Sequence, residues 1–188
     1  ERVPGTVGFP LPNVELRVSD DDGAPVPTGD TGVVEIRSPG LFAGYWQMPE
    51  KTSAEHRSGG WFITGDVGSV DAAGRLTLEG RSSDMIISGG YNVYPKEIEM
   101  VLDEVPGILE TGVIGVPHPD FGEAVVAIVV RDGSAEVTDG QLAAALDGVL
   151  ARFKHPKQYI DATELPRNAM SKVQKAMLRT EHAALFAD

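Results

Sequence analysis

The apolar pattern of this chain changes period within residues 80–99, which read GRSSDMIISGGYNVYPKEIE. Before this segment, short stretches of alternating apolar and polar residues are separated by turn-forming Gly, Asp and Pro, a pattern typical of short strands. After it, apolar residues recur at helical spacing between further strands. The chain is therefore expected to contain two differently built parts that meet inside this segment.

The part before the segment is predicted to be an antiparallel sheet or partial barrel. Residues 14–18 alternate as in a half-buried strand, and a second strand is expected over residues 33–36. Residues 61–78 place apolar stretches on either side of Asp71-Ala72-Ala73-Gly74, which indicates a hairpin. Nothing in this part indicates a long helix.

The part after the segment is predicted to be a small α+β domain. A brief strand at residues 85–87 and a Gly89-Gly90 turn precede a helix that opens with Pro95, whose missing N–H needs no partner in the first turn. Strands are expected at residues 110–116 and 124–131, joined by a loop over residues 117–123. Thr138 and Gln141 form a capping box for a second helix. A strand around residues 159–160 and a helix from about Lys172 complete the domain.

Composition excludes several classes of function. At 188 residues and 41% hydrophobic content, the chain can bury a substantial core. The absence of cysteine excludes disulfides, thiolate metal sites and cysteine nucleophiles, and is compatible with a cytoplasmic location. We expect neither a membrane span nor a signal peptide. The net charge of -12 argues against a nucleic-acid-binding surface.

The C-terminal end is basic, in contrast to the acidic remainder. Seven cations lie within residues 152–179: Arg152, Lys154, Lys157, Arg167, Lys172, Lys175 and Arg179. They are interpreted either as a solvated helix face or as a surface that docks an acidic partner.

Common catalytic and binding motifs are missing. The four histidines, His56, His118, His155 and His182, lack the spacing of metal ligands, so no metal site is predicted. There is no G-x-S-x-G elbow, no G-x-x-x-x-G-K-[ST] phosphate loop and no G-x-G-x-x-G turn.

Three features carry possible chemistry. Asp66, in Thr64-Gly65-Asp66, is expected at a tight turn after a strand, where its carboxylate accepts hydrogen bonds either from a diol or from its own backbone. The pair Gly89-Gly90 allows either close approach of a ligand or a simple hairpin turn. Lys172 is either functional or an ordinary surface cation.

In combination, five segments resemble the C-terminal part of AMP-forming acyl-CoA synthetases. These enzymes belong to the adenylate-forming superfamily, which also includes peptide-synthetase adenylation domains and firefly luciferase. The segments are PGTVGFPLPNVELRV, GLFAGYW, GWFITGDVGSVDAAGRLTLEGR, residues 80–99, and FKHPKQYIDATELPRNAMSKVQK. They span nearly the whole chain. The sequences of residues 89–99 and 165–175 most resemble those of fatty-acyl and malonyl-type CoA ligases.

The resemblance implies a role for each matching residue. The family joins a carboxylate to ATP, giving acyl-AMP and pyrophosphate, and the thiol of CoA then displaces AMP. Asp66 and Arg81 match the nucleotide-binding residues, and Lys172 matches the catalytic lysine of adenylation. Gly89 and Gly90 match the glycines of the CoA tunnel, and Ser83 matches the hinge between two domains.

The resemblance also implies a domain plan. Residues 1–82 would be the β-rich end of the large adenylation domain, and residues 83–188 the mobile C-terminal α+β domain. The phosphate loop, most of the acyl pocket and the Mg²⁺ ligands are expected upstream of residue 1. The chain is therefore expected to be an incomplete, inactive fragment that acts on a carboxylic acid, ATP and CoA when joined to the rest of the large domain. It is compatible with a homo-oligomer.

Two positions depart from the family. Ser83 stands where many members have Asp or Lys, and Ser171 stands where Gly usually precedes the lysine. Three other functions remain open from the sequence: an adenylation domain that loads a carrier protein, a non-catalytic interaction module, and luciferase-like oxidation.

Overall fold

A computed structural model describes residues 3–187, and the outer bounds predicted for the two domains, Glu1 and Asp188, lie outside the described residues. The chain divides into two compact units, one ending at Ser83 and the other beginning at Asp84. No helix within the described residues is long and apolar enough to cross a membrane.

The first unit is built around one antiparallel sheet. Its elements are β1 (Glu15–Ser19), β2 (Gly32–Arg37), helix α1 (Pro49–Glu55), β3 (His56–Arg57), β4 (Trp61–Val70) and β5 (Leu76–Arg81). The strand order is β1-β2-β4-β3, and β5 also pairs with β4. The two predicted strands and the hairpin around Asp71 are confirmed, whereas the short helix α1 was not predicted.

A buried carboxylate ties the strands of this sheet together. The side chain of Glu35 on β2 is fully buried and lies 2.7 Å from Arg17 and 2.6 Å from Arg57. Its other contact is the hydroxyl of Ser19, which donates to it at 2.7 Å. A buried charge is tolerated only when it is paired and hydrogen-bonded in this way. The sheet that carries the site is therefore held by an ionic network as well as by apolar packing.

The second unit is an α+β domain, as predicted. Its elements are β6 (Ile86–Ser88), β7 (Tyr91–Val93), α2 (Pro95–Leu102), β8 (Ile108–His118), β9 (Gly122–Arg131), α3 (Asp139–Leu146), β10 (Gln158–Ala162) and α4 (Lys175–Glu181). Strand β9 is central: β8 and β6 pair with it antiparallel and β10 parallel.

Helices cover both faces of β8 and β9. On one face, Ile98, Leu102 and Leu142 from α2 and α3 pack against a first buried cluster of strand residues. On the other, Leu178 of α4 packs against a second cluster that includes Ile114 and Ile128. Because neither face meets water, residues 124–130 are apolar without alternation.

The structure corrects three expectations for this domain. The predicted loop over residues 117–123 is much shorter, because Pro117 pairs with Glu123 and His118 with Gly122. Gly122 permits this hairpin by adopting a φ of 72°. Strand β7 was not predicted. The last helix begins at Lys175 rather than near Lys172, since residues before it form a hairpin.

The capping box is confirmed. Thr138 Oγ1 accepts from the Gln141 N–H at 3.3 Å, and Gln141 Oε1 accepts from the Thr138 N–H at 2.9 Å. The helix ends at Leu146, and the apolar residues Val149, Leu150 and Phe153 follow it.

Candidate functional site

Asp66 lies in a bulge in the middle of β4. The pairing of β2 with β4 shifts between Val33 and Glu35, and residues 64–66 are accommodated opposite Val34. Gly65 has a φ of 76°, and the Thr64 hydroxyl donates to Val34 O at 2.8 Å. The expectation of a turn after the strand is therefore wrong, because β4 continues to Val70. The bulge re-aims Asp66 without ending the strand.

Asp66 and Arg81 are brought together by the pairing of β4 with β5. They are direct register partners, and Arg81 Nε lies 3.1 Å from Asp66 Oδ1. Arg81 Nη1 also donates to Thr64 O at 3.3 Å. The side chains are 32% and 55% exposed, respectively, so both can still meet a ligand. Within the described residues, Asp66 Oδ2 has no partner and retains its capacity to accept.

The boundary between the units falls within a short 3₁₀ helix, Ser82–Asp84. Ser82 Oγ donates to Gly65 O at 3.2 Å, which attaches the end of the first unit to the bulge. Asp84, the first residue of the second unit, lies 3.3 Å from Arg179 of α4. Ser83 lies between these two anchored residues and is exposed.

Gly89 and Gly90 form the two-residue turn between β6 and β7. Ser88 pairs with Tyr91, and the glycines have φ values of 58° and 84°. Positive φ at both central residues is the requirement of the tight hairpin turns that favour glycine. A Cβ built on Gly90 would meet nothing within 4 Å, and one on Gly89 would meet Phe121 at 3.8 Å. The glycines are needed for backbone conformation rather than for space within this unit.

Lys172 lies in a hairpin that precedes α4. Residues 167 and 173 form a bridge, and the Gln174 N–H donates to Pro166 O at 2.7 Å. At the tip, Asn168 Oδ1 accepts from the N–H groups of Met170 and Lys172, at 2.9 Å and 3.0 Å. Asn168 N–H in turn donates to Lys172 O at 2.9 Å. The backbone of Lys172 is fixed while its side chain is exposed.

Most other cations of the basic end are paired with carboxylates on separate elements. The pairs are Arg152–Asp147, Lys154–Glu97, Arg167–Glu110, Lys175–Glu99 and Arg179–Asp84. Lys157 lies 4.9 Å from the ring centre of Phe121. Within the described residues, the ammonium of Lys172 has no carboxylate partner. The basic end is thus not one solvated helix face.

No metal site was predicted from the histidines. Among residues 3–187, no group of three or more His, Asp or Glu side chains could hold a metal ion. His155 Nε2 lies 3.1 Å from Leu150 O, and His118 packs against the rings of Phe121 and Phe186.

Sequence reasoning missed Arg167 and Asn168. Arg167 Nη1 donates to Ser171 O at 2.7 Å, and Asn168 organises the hairpin tip. The sequence held one usable signal: an Asn side chain favours a turn in which it accepts from the backbone N–H two residues further on. The arginine contact depends on Glu110, 57 positions earlier, and left no local signal.

Two family models match the chain, and together they cover more than half of it. The model described as AMP-binding enzyme matches residues 1–46, and that described as AMP-binding enzyme C-terminal domain matches residues 97–172. The chain therefore belongs to the AMP-binding enzymes, whose fold its α+β architecture shares.

Individual relatives of this chain include a CoA ligase and an amide bond synthetase. The chain is 43% identical to long-chain-fatty-acid–CoA ligase FadD13 of Mycobacterium tuberculosis, over 97% of this chain and 36% of that protein. It is 51% identical to ATP-bound MatB from Rhodopseudomonas palustris, with a TM-score of 0.92 over 99% of this chain and 37% of that one. The amide bond synthetase McbA from Marinactinospora thermotolerans is 41% identical, with a TM-score of 0.88, over 94% of this chain and 36% of that one.

The chain corresponds to the C-terminal portion of the AMP-forming acyl-CoA synthetases, as its motifs predicted. It spans about a third of the length of the curated relatives that it matches.

Proposed function

We propose that this chain supplies the nucleotide-contacting bulge, the catalytic lysine and the thiol-tunnel turn of an ATP-dependent acyl-CoA synthetase. The observation that carries the proposal is Lys172, whose backbone is fixed by Asn168 at 3.0 Å and whose exposed ammonium has no carboxylate partner in the described part of the chain. Of the six other cations of the basic end, five have a carboxylate partner, and Lys157 instead lies over the ring of Phe121. A fixed, free cation is suited to charge that develops on a ligand.

In the first half-reaction, a carboxylate oxygen attacks the α-phosphorus of ATP, and pyrophosphate leaves. The ammonium of Lys172 would stabilise negative charge on the α-phosphate and carboxylate oxygens. Asp66 would accept both ribose hydroxyls through its carboxylate, and Arg81, which holds Oδ1, would keep that carboxylate oriented.

In the second half-reaction, the CoA thiol attacks the acyl carbonyl carbon, and AMP leaves. We propose that Gly89 and Gly90 line the path of the pantetheine arm, and that Ser83 is the pivot that exchanges Lys172 for this turn. The anchored neighbours of Ser83 support that position: Ser82 is held by Gly65, and Asp84 by Arg179.

The remaining components would come from the rest of the enzyme. We propose that the Mg²⁺ ligands, the phosphate loop and most of the acyl pocket belong to the rest of the large domain. Mg²⁺ would neutralise phosphate charge when bound. ATP and CoA are abundant in the cytoplasm, so a cytoplasmic location accompanies this proposal.

The test uses a chimera in which this chain replaces the matching 37% of MatB from Rhodopseudomonas palustris. ATP–pyrophosphate exchange, with that enzyme's own carboxylic acid, measures adenylation, and thioester formation from supplied acyl-AMP measures the second half. Lys172→Ala is expected to lower adenylation by roughly 10²–10³ while sparing thioester formation. Equal loss of both halves, or none, would refute the assigned role. Ser83→Pro is expected to slow the two halves unequally.

The 188-residue chain alone is expected to form no acyl-AMP, because it contains only part of the proposed active site. Pyrophosphate release by the isolated chain with any carboxylic acid in a panel would contradict this.

A further inference from the structure

One peptide group of the Lys172 hairpin is held from both sides. The peptide group that joins Ser171 to Lys172 contains the Ser171 carbonyl and the Lys172 N–H. Arg167 Nη1 donates to that carbonyl at 2.7 Å, and Asn168 Oδ1 accepts from that N–H at 3.0 Å. The orientation of this peptide sets the direction in which the Lys172 side chain leaves the backbone.

Arg167 is itself fixed to the sheet. Its Nη2 donates to Oε2 of Glu110, which lies on β8, the strand that pairs with central β9 along nearly its whole length. The Glu110 side chain is 25% exposed and that of Arg167 is 40% exposed, so the pair is partly shielded from water. Arginine can make both contacts because its guanidinium presents donors in a rigid fork.

This bracing opposes a local strain. Ser171 adopts a φ of 61°, in the left-handed region that disfavours residues with a Cβ. A hairpin with glycine at this position would adopt the conformation at no steric cost. Here the contact from Arg167 lies on the carbonyl of the strained residue itself, where it holds the peptide plane that the strain would rotate.

We infer that Arg167, braced by Glu110, is a positioning residue for Lys172 in the adenylation half-reaction. The inference rests on the proposed role of Lys172. Arg167 does not touch the reacting atoms; it fixes the peptide from which the catalytic ammonium extends. Loss of the brace lets that peptide rotate, and a displacement of about 1 Å at a reacting centre costs on the order of 10² in rate.

The first test measures the peptide directly in the 188-residue chain. The Lys172 amide proton is expected to exchange with solvent faster in Arg167→Gln than in the unchanged chain. Arg152→Gln is the matched control, because Arg152 is a cation of the same basic end, is 87% exposed and lies 3.9 Å from its carboxylate. Equal exchange in all three proteins would overturn the inference.

The second test measures the two half-reactions in the MatB chimera. Arg167→Gln is expected to lower kcat for adenylation by about 10- to 100-fold, with the KM for ATP and the rate of thioester formation nearly unchanged. Glu110→Gln keeps an acceptor for Arg167 and is expected to give a smaller loss. Arg167→Lys keeps the charge but loses the fork, and is expected to remain impaired. Equal loss in both half-reactions would indicate general damage to the domain and overturn the inference.

Lys172→Ala in the same assay distinguishes failure of the positioning role of Arg167 from failure of the catalytic role of Lys172. If Lys172→Ala loses adenylation while Arg167→Gln behaves as Arg152→Gln does, the positioning role fails and the proposed function stands. If Lys172→Ala retains adenylation, the proposed function fails.

Discussion

Asp66 and Arg81 face each other as direct partners across β4 and β5, with 3.1 Å between Oδ1 and Nε. They are 15 positions apart in sequence, and the bulge at Gly65 determines where the carboxylate points. Because Arg81 contacts only one carboxylate oxygen, the pair leaves the other available to a ligand. The Asp66 carboxylate can therefore accept a hydrogen bond from a ligand while Arg81 keeps it oriented.

Asp66→Asn tests the nucleotide role. The amide replaces one acceptor oxygen by a donor, so it can no longer accept both hydroxyls of a diol. The KM for ATP of the MatB chimera is expected to rise roughly 10- to 100-fold, the range of a charged hydrogen bond. Asp71→Asn, at the tip of the same hairpin, is the control and should leave the KM unchanged. An unchanged KM in Asp66→Asn would remove the residue from the site.

Substitutions at Gly90 separate turn geometry from the thiol tunnel. Gly90→Leu is expected to destabilise the second unit by about 1 kcal/mol, because leucine disfavours a φ of 84°, whereas asparagine tolerates such values. Both side chains would narrow a tunnel. The tunnel role therefore predicts slow thioester formation in Gly90→Asn as well as in Gly90→Leu. If only Gly90→Leu is impaired, the glycine serves the turn alone.

Ser171→Gly is expected to stabilise the second unit. Glycine removes the left-handed strain at φ 61°, and within the described residues the Ser171 hydroxyl makes no hydrogen bond that would be lost. A gain of about 1 kcal/mol in the free energy of unfolding is expected. Ser171→Ala keeps a Cβ and is the control, with no such gain expected.

Two spectroscopic signals can show which of the two units the Ser171→Gly substitution stabilises. Both tryptophans, Trp46 and Trp61, lie in the first unit, so tryptophan fluorescence follows that unit alone during urea unfolding. Circular dichroism follows both. A shift of the fluorescence transition in Ser171→Gly would contradict a gain confined to the second unit.

The raised pKa of the Tyr159 phenol predicts a loss of folding stability at high pH. Burial, aided by the carboxylates of Asp139 and Asp147, raises the pKa of its phenol to about 12. The unfolded phenol ionises near pH 10, so between about pH 10 and about pH 12 the unfolded state holds fewer protons and stability falls as pH rises. Tyr159→Phe lacks this contribution. Its stability relative to the unchanged chain should increase across that range and stay constant between about pH 7 and about pH 9.

Urea unfolding at a series of pH values, followed by circular dichroism, measures this difference. The Tyr159 hydroxyl is buried without a hydrogen-bond partner in the described residues, so Tyr159→Phe is not expected to weaken the fold at neutral pH. A difference that does not change with pH would refute the prediction.

Local patterns in the sequence were enough for most elements and for the class of enzyme. The alternation at residues 14–18, the turn at Asp71 and the capping box of Thr138 each act over a few positions, so they can be recognised without the fold. The motif residues Asp66, Arg81, Gly89, Gly90 and Lys172 were likewise named from the sequence, and their roles remain predictions.

The tertiary structure decided how these residues are held. The bulge at Gly65 arises from the register between β2 and β4, which no single strand determines. The later start of α4 follows from the pairing of residues 167 and 173, and the brace from Arg167 depends on Glu110 on a distant strand. Such contacts join groups that are far apart in the chain, so they contribute to stability only once the sheet has formed. The sequence by itself therefore determined which residues could act, and the fold decided which peptide groups hold them in place.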